Sequence, residues 1–246
     1  MKCEGLQSGF CAICVGCLCT SALQGFLRPP TKVWQSQLTL LLYTPLKTMR
    51  AKLNKLYGIL TFPLALIYWV IIHIIPKRNR TLINADLCQW TKWKRVPCNI
   101  WGFSYLLGCI PEYRTILYKR LKLLKVISCW WLRGKRNLEI STNDIGGGLL
   151  IQHGIATIIS AEKIGENCKI YQQVTIGFSH DLQAPVIGDN VEICCGAKVI
   201  GGITIGNNVL IGANAVVIKD VPSNSVVAGV PAKVIRSLNE TRDLTI

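Results

Sequence analysis

Residues 186–221 read VIGDNVEICCGAKVIGGITIGNNVLIGANAVVIKDV, and an aliphatic residue recurs there every six positions, at Ile187, Ile193, Val199, Ile205, Ile211 and Val217. Four residues after each comes a second small or branched side chain: Val191, Ala197, Ile203, Val209, Ala215 and Val221. Neither the 3.6-residue period of a helix nor the two-residue alternation of a strand produces this beat. A solenoid does. Three hexads make one coil, three short strands close a triangular prism, and each strand stacks in parallel on its equivalent in the next coil. The aliphatic residue points inward, and Gly and Asn take the turn dihedrals that branched residues resist. Asn167, Asn190, Asn207 and Asn208 fall at such turns.

The beat continues upstream through Ile176, Ile170, Ile164 and Ile158, then Ile151 and Ile145, and it slips twice. Ile151 to Ile158 spans seven residues, which predicts a local bulge. Ile176 to Ile187 spans eleven, so a five-residue insertion within FSHDLQAP leaves the prism as a loop, at an edge where binding usually occurs. Downstream, SVVAGVPAKVIR breaks the repeat and is expected to fold back as a cap. The coils therefore occupy 138–235, with a tail at 236–246.

What precedes them is different material. Residues 1–137 hold 21 Lys and Arg against 3 Asp and Glu, a net +18, whereas 138–246 hold 7 against 10, a net −3. A boundary near residue 137 follows. Among the basic residues run long apolar stretches, and no zinc-finger, helix-turn-helix or RNA-recognition signature accompanies them. That favours a membrane surface over plain solubilising charge, and no nucleic-acid partner is expected. Leu56 to Ile75 is free of Asp, Glu, Lys and Arg and is bracketed by Lys52, Lys55, Lys77, Arg78 and Arg80. Its length suits a membrane span, but Pro63 interrupts it, so spanning, lying on the membrane and packing internally all stay open. Leu82–Trp93 and Tyr113–Trp131 carry helical apolar spacing, the latter with Ile116, Leu117, Leu121, Leu124 and Ile127 on one face. Trp90, Trp93, Trp101, Trp130 and Trp131 beside Lys and Arg suit a bilayer interface, or else a core. The expected architecture is mainly β, with an apolar, basic, α-helical region at 49–137. Met49 reads like an ordinary start, which sets 1–48 apart as a leader. Its CAICVGCLC run lacks a nearby His and reads as neither a metal site nor a secreted disulfide framework, and a reducing cytoplasm, at the inner face of the membrane, fits the cysteines best.

Moving an acetyl group from a thioester to a hydroxyl needs a base and donors for the oxyanion. The coils contain two histidines, His153 in GGGLLIQHGIATII and His180 in the inserted loop. LEIS, GGGLLIQHGIATII, IGENCKIYQQVTIG, PVIGDNVEICCGAKVIGGITIGNNVLIGANAVV and AGVPAKVI together resemble the serine acetyltransferase family of hexapeptide-repeat acyltransferases. PEYRTILYKRL resembles a stretch of its capsule-locus members. That resemblance, rather than the period, supplies the left-handedness of the β-helix. It implies His153 as general base, Glu139 as the carboxylate that orients it, and acetyl-CoA as donor with no metal. It also implies a homotrimer, with CoA in a groove between prisms near Gly177, Gly196, Ala197 and Ala215 and with Lys233 near its phosphates. Two positions depart from the serine enzymes. Gln183 and Ala184 replace the pair that holds the amino acid's carboxylate, and Gln152 replaces the acid before the catalytic histidine. Without a cation a carboxylate has little to pair with. The expected acceptor is therefore a saccharide hydroxyl in surface polysaccharide synthesis, with His180 as an acceptor contact. The alternative is serine O-acetylation for cysteine synthesis. A catalytically silent β-helix used as an assembly platform is disfavoured by His153 in its full motif. A zinc carbonic anhydrase of the same fold would need three histidines where the coils have two.

Overall fold

The computed structural model of the protein describes residues 56–122, 132–179 and 182–237, together with Met49 and Leu53. The expectations for the leader 1–48, Trp130, Trp131, Leu124, Ile127, His180 and the tail from residue 238 lie outside the described residues. The helices and coils below belong to one compact unit, Lys52–Glu240.

Among the described residues four helices come first: α1 (Phe62–Ile74), α2 (Lys77–Lys94), α3 (Ile100–Cys109) and α4 (Pro111–Leu121). Residues 56–60 are also helical and lead into α1, with Thr61 N bonded to Tyr57 O and Ala65 N to Thr61 O. Pro63 therefore does not break the apolar run. It sits in the first turn of α1, where a missing N–H costs nothing. Pro76 separates α1 from α2, and Arg95 ends α2 in a left-handed conformation with φ 56°. The side chain of Asn99 then accepts from the N–H groups of Trp101 and Gly102, capping α3. The sequence pattern did not single out α3, because IWGFSYLLGC is apolar nearly all round and has no helical stripe.

Each helix buries one face. Ala65, Tyr68 and Ile72 do so from α1, and Ile83, Leu87 and Trp90 from α2, while Ile116, Leu117 and Leu121 fulfil the expected inner face of α4. These side chains join one continuous core with Leu149, Leu150 and Ile151 of the first coil. The helices thus close the open end of the prism, where inward-facing side chains would otherwise meet water.

Among the described residues fifteen strands follow: β1 (Leu138–Ile140), β2 (Asp144–Ile145), β3 (Leu150–Ile151), β4 (Thr157–Ile159), β5 (Lys163–Ile164), β6 (Lys169–Ile170), β7 (Thr175–Gly177), β8 (Val186–Ile187), β9 (Glu192–Ile193), β10 (Lys198–Ile200), β11 (Thr204–Ile205), β12 (Leu210–Ile211), β13 (Val216–Val217), β14 (Ser225–Gly229) and β15 (Ala232–Ser237). One face of the prism is β1-β4-β7-β10-β13, the second is β2-β5-β8-β11, and the third is β3-β6-β9-β12-β14-β15. Every pairing is parallel except β14 (Ser225–Gly229) with β15 (Ala232–Ser237). The predicted inward set is buried as expected, Ile187 at 1%, Ile193, Val199 and Ile211 at 0%, and Ile205 at 1% exposure. Where the second face turns into the third, Asn167, Asn190, Asn208 and Asn224 all adopt left-handed φ of 54–57°. Their amides stack from coil to coil, Asn190 Nδ2 on Asn208 Oδ1 at 3.0 Å and Asn208 Nδ2 on Asn224 Oδ1 at 2.8 Å.

The structure corrects three expectations. Ile158 is not an inward residue: it is 43% exposed, while its neighbour Ile159 is fully buried and pairs with Ile176. The first slip therefore runs from Ile151 to Ile159 and is a two-residue insertion. The segment 225–236 does not leave the repeat at once, because β14 still stacks on β12 and only β15 folds back. Trp90 is a core residue at 1% exposure whose Nε1 donates to Leu149 O at 2.8 Å, whereas Trp101 is 56% exposed. Among the described residues, no helix is long and apolar enough to cross a membrane.

Candidate active site

The two-residue insertion at the end of the first coil decides the local geometry. In later coils the corner entering the first face turns with one left-handed residue, Gln173, Gly196 or Asn214, at φ 61°, 74° and 56°. The first corner uses three within four residues: His153 at φ 63°, Gly154 at 31° and Ala156 at 50°. Left-handed backbone costs a non-glycine residue roughly 1–2 kcal/mol, and strain of this kind clusters at functional sites. The extra length loosens the corner without freeing it, since Gln152 N still donates to Ile170 O at 2.8 Å and Ile155 O still accepts from Gln173 N at 2.9 Å. Among the described residues, the N–H groups of Gly154, Ile155 and Ala156 are not drawn into layer-to-layer bonding.

His153 is exposed at this corner, and Glu139 is exposed on β1 (Leu138–Ile140). The fold brings their neighbourhoods together. A Cβ on Gly154 would stand 3.2 Å from Leu138 Cδ2 and 3.2 Å from Glu112 Cγ, so the residue after His153 lies against the residue before Glu139. Strand β4 (Thr157–Ile159) then lies on β1 with Ile158 over Glu139. Among the described residues no hydrogen bond joins His153 to Glu139 within the single chain.

The sequence pattern missed what supports this corner. Glu112, from PEYR, is buried beneath Gly154 and pairs with Lys135 Nζ at 3.0 Å. Asp86 on α2 is buried at 2% exposure and accepts from four donors: Arg120 Nε at 3.0 Å, Arg120 Nη2 at 3.3 Å, Gly148 N at 2.8 Å and Leu149 N at 3.0 Å. Arg120 also donates to the carbonyls of Ile145 and Gly146. Burial pushes the Asp86 carboxyl up, while Arg120 and the two backbone N–H groups pull it back. Two of the three acids in the basic half thus pin helices to the first coil and to the segment leading into it. Their only sequence signal was rarity.

A cleft of about 920 Å³ opens beside β1, lined by Glu139 and by Lys119, Lys122, Arg133, Lys135 and Arg136. His153 is not part of it. Lys119 Nζ reaches the carbonyls of Ile140 and Ser141, tying α4 to β1.

The remaining predicted positions are spread along the prism. Gly177 ends β7 (Thr175–Gly177), where a Cβ would meet only Ile200 Cδ1 at 3.9 Å, so the surface is open. Gly196 forms the corner after the third coil. Ala197 and Ala215 are fully buried, and their backbone N–H and C=O groups are already bonded to other residues of the coils. Facing into the prism with no exposed surface, neither can touch a ligand, which corrects the expectation that they contact CoA. Lys233 is exposed on β15, and Gln183 is exposed with its side chain against Gly202.

Three of the described cysteines are held as thiols. Hydrogen bonding to Cys98 pushes the Cys88 thiol up to about 11, and burial pushes Cys168 to about 12 and Cys194 to about 11. Among the described residues, no three His, Cys, Asp or Glu side chains converge as metal ligands would.

Comparison with known proteins gives likenesses for the coils and for the fold. Residues 184–219 match the family model for bacterial transferase hexapeptide (six repeats). A serine acetyltransferase of Staphylococcus xylosus is 48% identical over 96 residues, covering 37% of this chain and 44% of that protein. The chain thus spans less than half the length of this curated relative. The structure of Neisseria gonorrhoeae serine acetyltransferase in complex with serine is 28% identical with a TM-score of 0.50, covering 64% of this chain and 69% of that one. A serine acetyltransferase structure in complex with CoA, 24% identical with a TM-score of 0.50, covers 64% of this chain and 69% of that one and shares the fold.

Proposed function

We propose that this chain, whose coils are hexapeptide-repeat β-helical coils of the serine acetyltransferase kind, is an acetyl-CoA-dependent O-acetyltransferase with His153 as its general base. The observation that carries this reading is the strained corner at His153–Ala156. It leaves His153 exposed next to Gly154, which packs on Leu138 of the Glu139 strand, and leaves the N–H groups of residues 154–156 outside the ladder.

His153 takes the acceptor's hydroxyl proton as that oxygen attacks the acetyl carbonyl, and it returns the proton to the departing thiolate as the C–S bond breaks. Glu139 orients the imidazole and favours its protonated form as charge develops. The N–H groups of Gly154, Ile155 and Ala156 are candidate donors to the oxyanion. The pantetheine arm of CoA would lie over the open surface at Gly177 and Gly196, with Lys233 toward the phosphates. No metal takes part in this scheme.

The unit of function is a homotrimer. Ile155, Ile158 and Phe178 are large apolar side chains exposed around the His153 corner, and a neighbouring prism would bury them. The acceptor is a saccharide hydroxyl in surface polysaccharide synthesis at the inner face of the membrane. Gln183 and Ala184 provide no cation for a carboxylate, and the basic cleft beside Glu139 suits an acceptor carrying a phosphate. Serine is the second reading, favoured by the names of the relatives.

The test is to follow free CoA release with L-serine and, separately, with saccharide and sugar-phosphate acceptors. His153→Ala should lower turnover by roughly 10²–10⁴-fold without loss of CoA affinity. Near-normal turnover by that variant would sink the mechanism, and efficient O-acetylserine formation would replace the saccharide with serine.

A further inference from the structure

The helical segment that leads into and includes α1 has two apolar faces, and only one of them is used. Thr61, Ala65, Tyr68 and Ile72 turn into the core. On the opposite side stand Leu56, Leu60, Pro63, Ile67, Val70 and Ile74, spaced by four, three, four, three and four residues. At 100° per residue this places them within an arc of about 80°, as one stripe about 27 Å long. It is fully presented to the outside: Leu60 is 68% exposed, Ile67 57%, Val70 56% and Ile74 77%. Beside it Phe62 stacks on exposed Trp101, with ring centroids 4.2 Å apart. At its end stand exposed Lys77 and Arg78, and Lys94 sits over the Trp93 ring at 3.9 Å.

We propose that this stripe is a docking face for an anionic lipid bilayer, with the helix lying in the plane of the interface rather than crossing it. Partition argues for lying flat: the inner face of the helix, with Ala65, Tyr68 and Ile72, is committed to protein, and among the described residues no helix is long and apolar enough to cross a membrane. The rim argues for lipid: tryptophans and basic side chains around an apolar strip are the arrangement that headgroups accommodate. The charge distribution argues against a second copy of this chain. Between Gly5 and Ala85 there is no Asp or Glu at all, so a symmetric pairing of two such faces would set like charges against one another with no counter-charge. An anionic leaflet supplies that counter-charge. This inference is independent of the acetyltransferase reading and does not need the catalytic corner.

The test is co-sedimentation of the full chain with vesicles of phosphatidylglycerol and phosphatidylethanolamine, against pure phosphatidylcholine, at low and high salt. Binding to the anionic vesicles, weakened by salt and at least about tenfold weaker on phosphatidylcholine, is expected. Ile67→Glu with Val70→Glu should weaken binding by roughly ten- to a hundredfold, since two partly immersed aliphatic side chains are exchanged for charges. Its circular dichroism should be unchanged, because neither residue touches the core. Lys77→Glu with Arg78→Glu should remove the lipid-charge dependence and serves as the second variant should the first fail to fold. Equal binding by wild type and the glutamate variant would overturn the proposal. So would absence of vesicle binding by the wild type, or a glutamate variant that changes only the oligomeric mass.

Discussion

Replacing Asp86 by Ala should separate the helices from the first coil and cost a large share of the protein's stability. The carboxylate holds Arg120 through two contacts and the N–H groups of Gly148 and Leu149 through two more, in a site where the two side chains are 3% and 8% exposed. Its removal leaves a buried guanidinium facing only carbonyls and two buried N–H groups without an acceptor. Breaking a buried pair by deleting one partner costs about 3–5 kcal/mol. The orphaned N–H groups add about 1 kcal/mol or more unless water reaches them. Against a total of about 5–15 kcal/mol this leaves a marginal fold. Urea unfolding followed by far-ultraviolet circular dichroism measures the loss, and the double variant Asp86→Ala with Arg120→Ala completes the cycle. Since the guanidinium is what Asp86 neutralises, the double variant should lose less than the sum of the two singles, with a coupling of about 2 kcal/mol or more. A loss below about 1 kcal/mol for Asp86→Ala, or no coupling, would refute the idea that this pair fastens the helical plug to the coils.

Smaller changes probe the same junction and the corner beyond it. Trp90→Phe, which loses the bond to Leu149 O and leaves a cavity where the larger indole stood, should cost about 2–4 kcal/mol by urea midpoint. Gly148→Ala should cost about 1–3 kcal/mol, because φ is +80° there and a Cβ would collide with Asn167 Oδ1. Gly154→Ala should keep most of the stability yet lower turnover by roughly tenfold or more, because the Cβ presses on Leu138 and Glu112 and shifts His153 by a few tenths of an ångström. Glu139→Gln should lower turnover less than His153→Ala, measured as free CoA released at saturating acceptor.

The relation of sequence to structure differs between the two halves for a physical reason. In the coils each residue's environment is set by neighbours about eighteen positions away in equivalent places, so a local six-residue pattern carries the whole fold. The buried Ile187-to-Val217 series was legible from spacing alone. The same regularity made the departures legible, since a bulge or an insertion stands out against a strict beat. What spacing could not decide was which of two adjacent isoleucines turns inward after the bulge. Left-handed backbone at His153, Gly154 and Ala156 carries the chain past Ile158 and seats Ile159 instead.

In the helical half nothing repeats, and the sequence by itself determined little more than helicity and an excess of positive charge. Tertiary packing decided the rest. It placed Trp90 in the core and Trp101 outside, although both stand near lysines or other aromatics in the chain. It made Pro63 part of a helix's first turn. It gave Asp86 and Glu112 their roles, because a buried carboxylate is recognised only by the cation and N–H groups that fold around it from residues 23 to 63 positions away. The catalytic candidates follow the same division. His153 was marked by its motif, but its corner lies against the Glu139 strand only because a glycine lets it close on Leu138 and the partly exposed Glu112–Lys135 pair holds the floor beneath it.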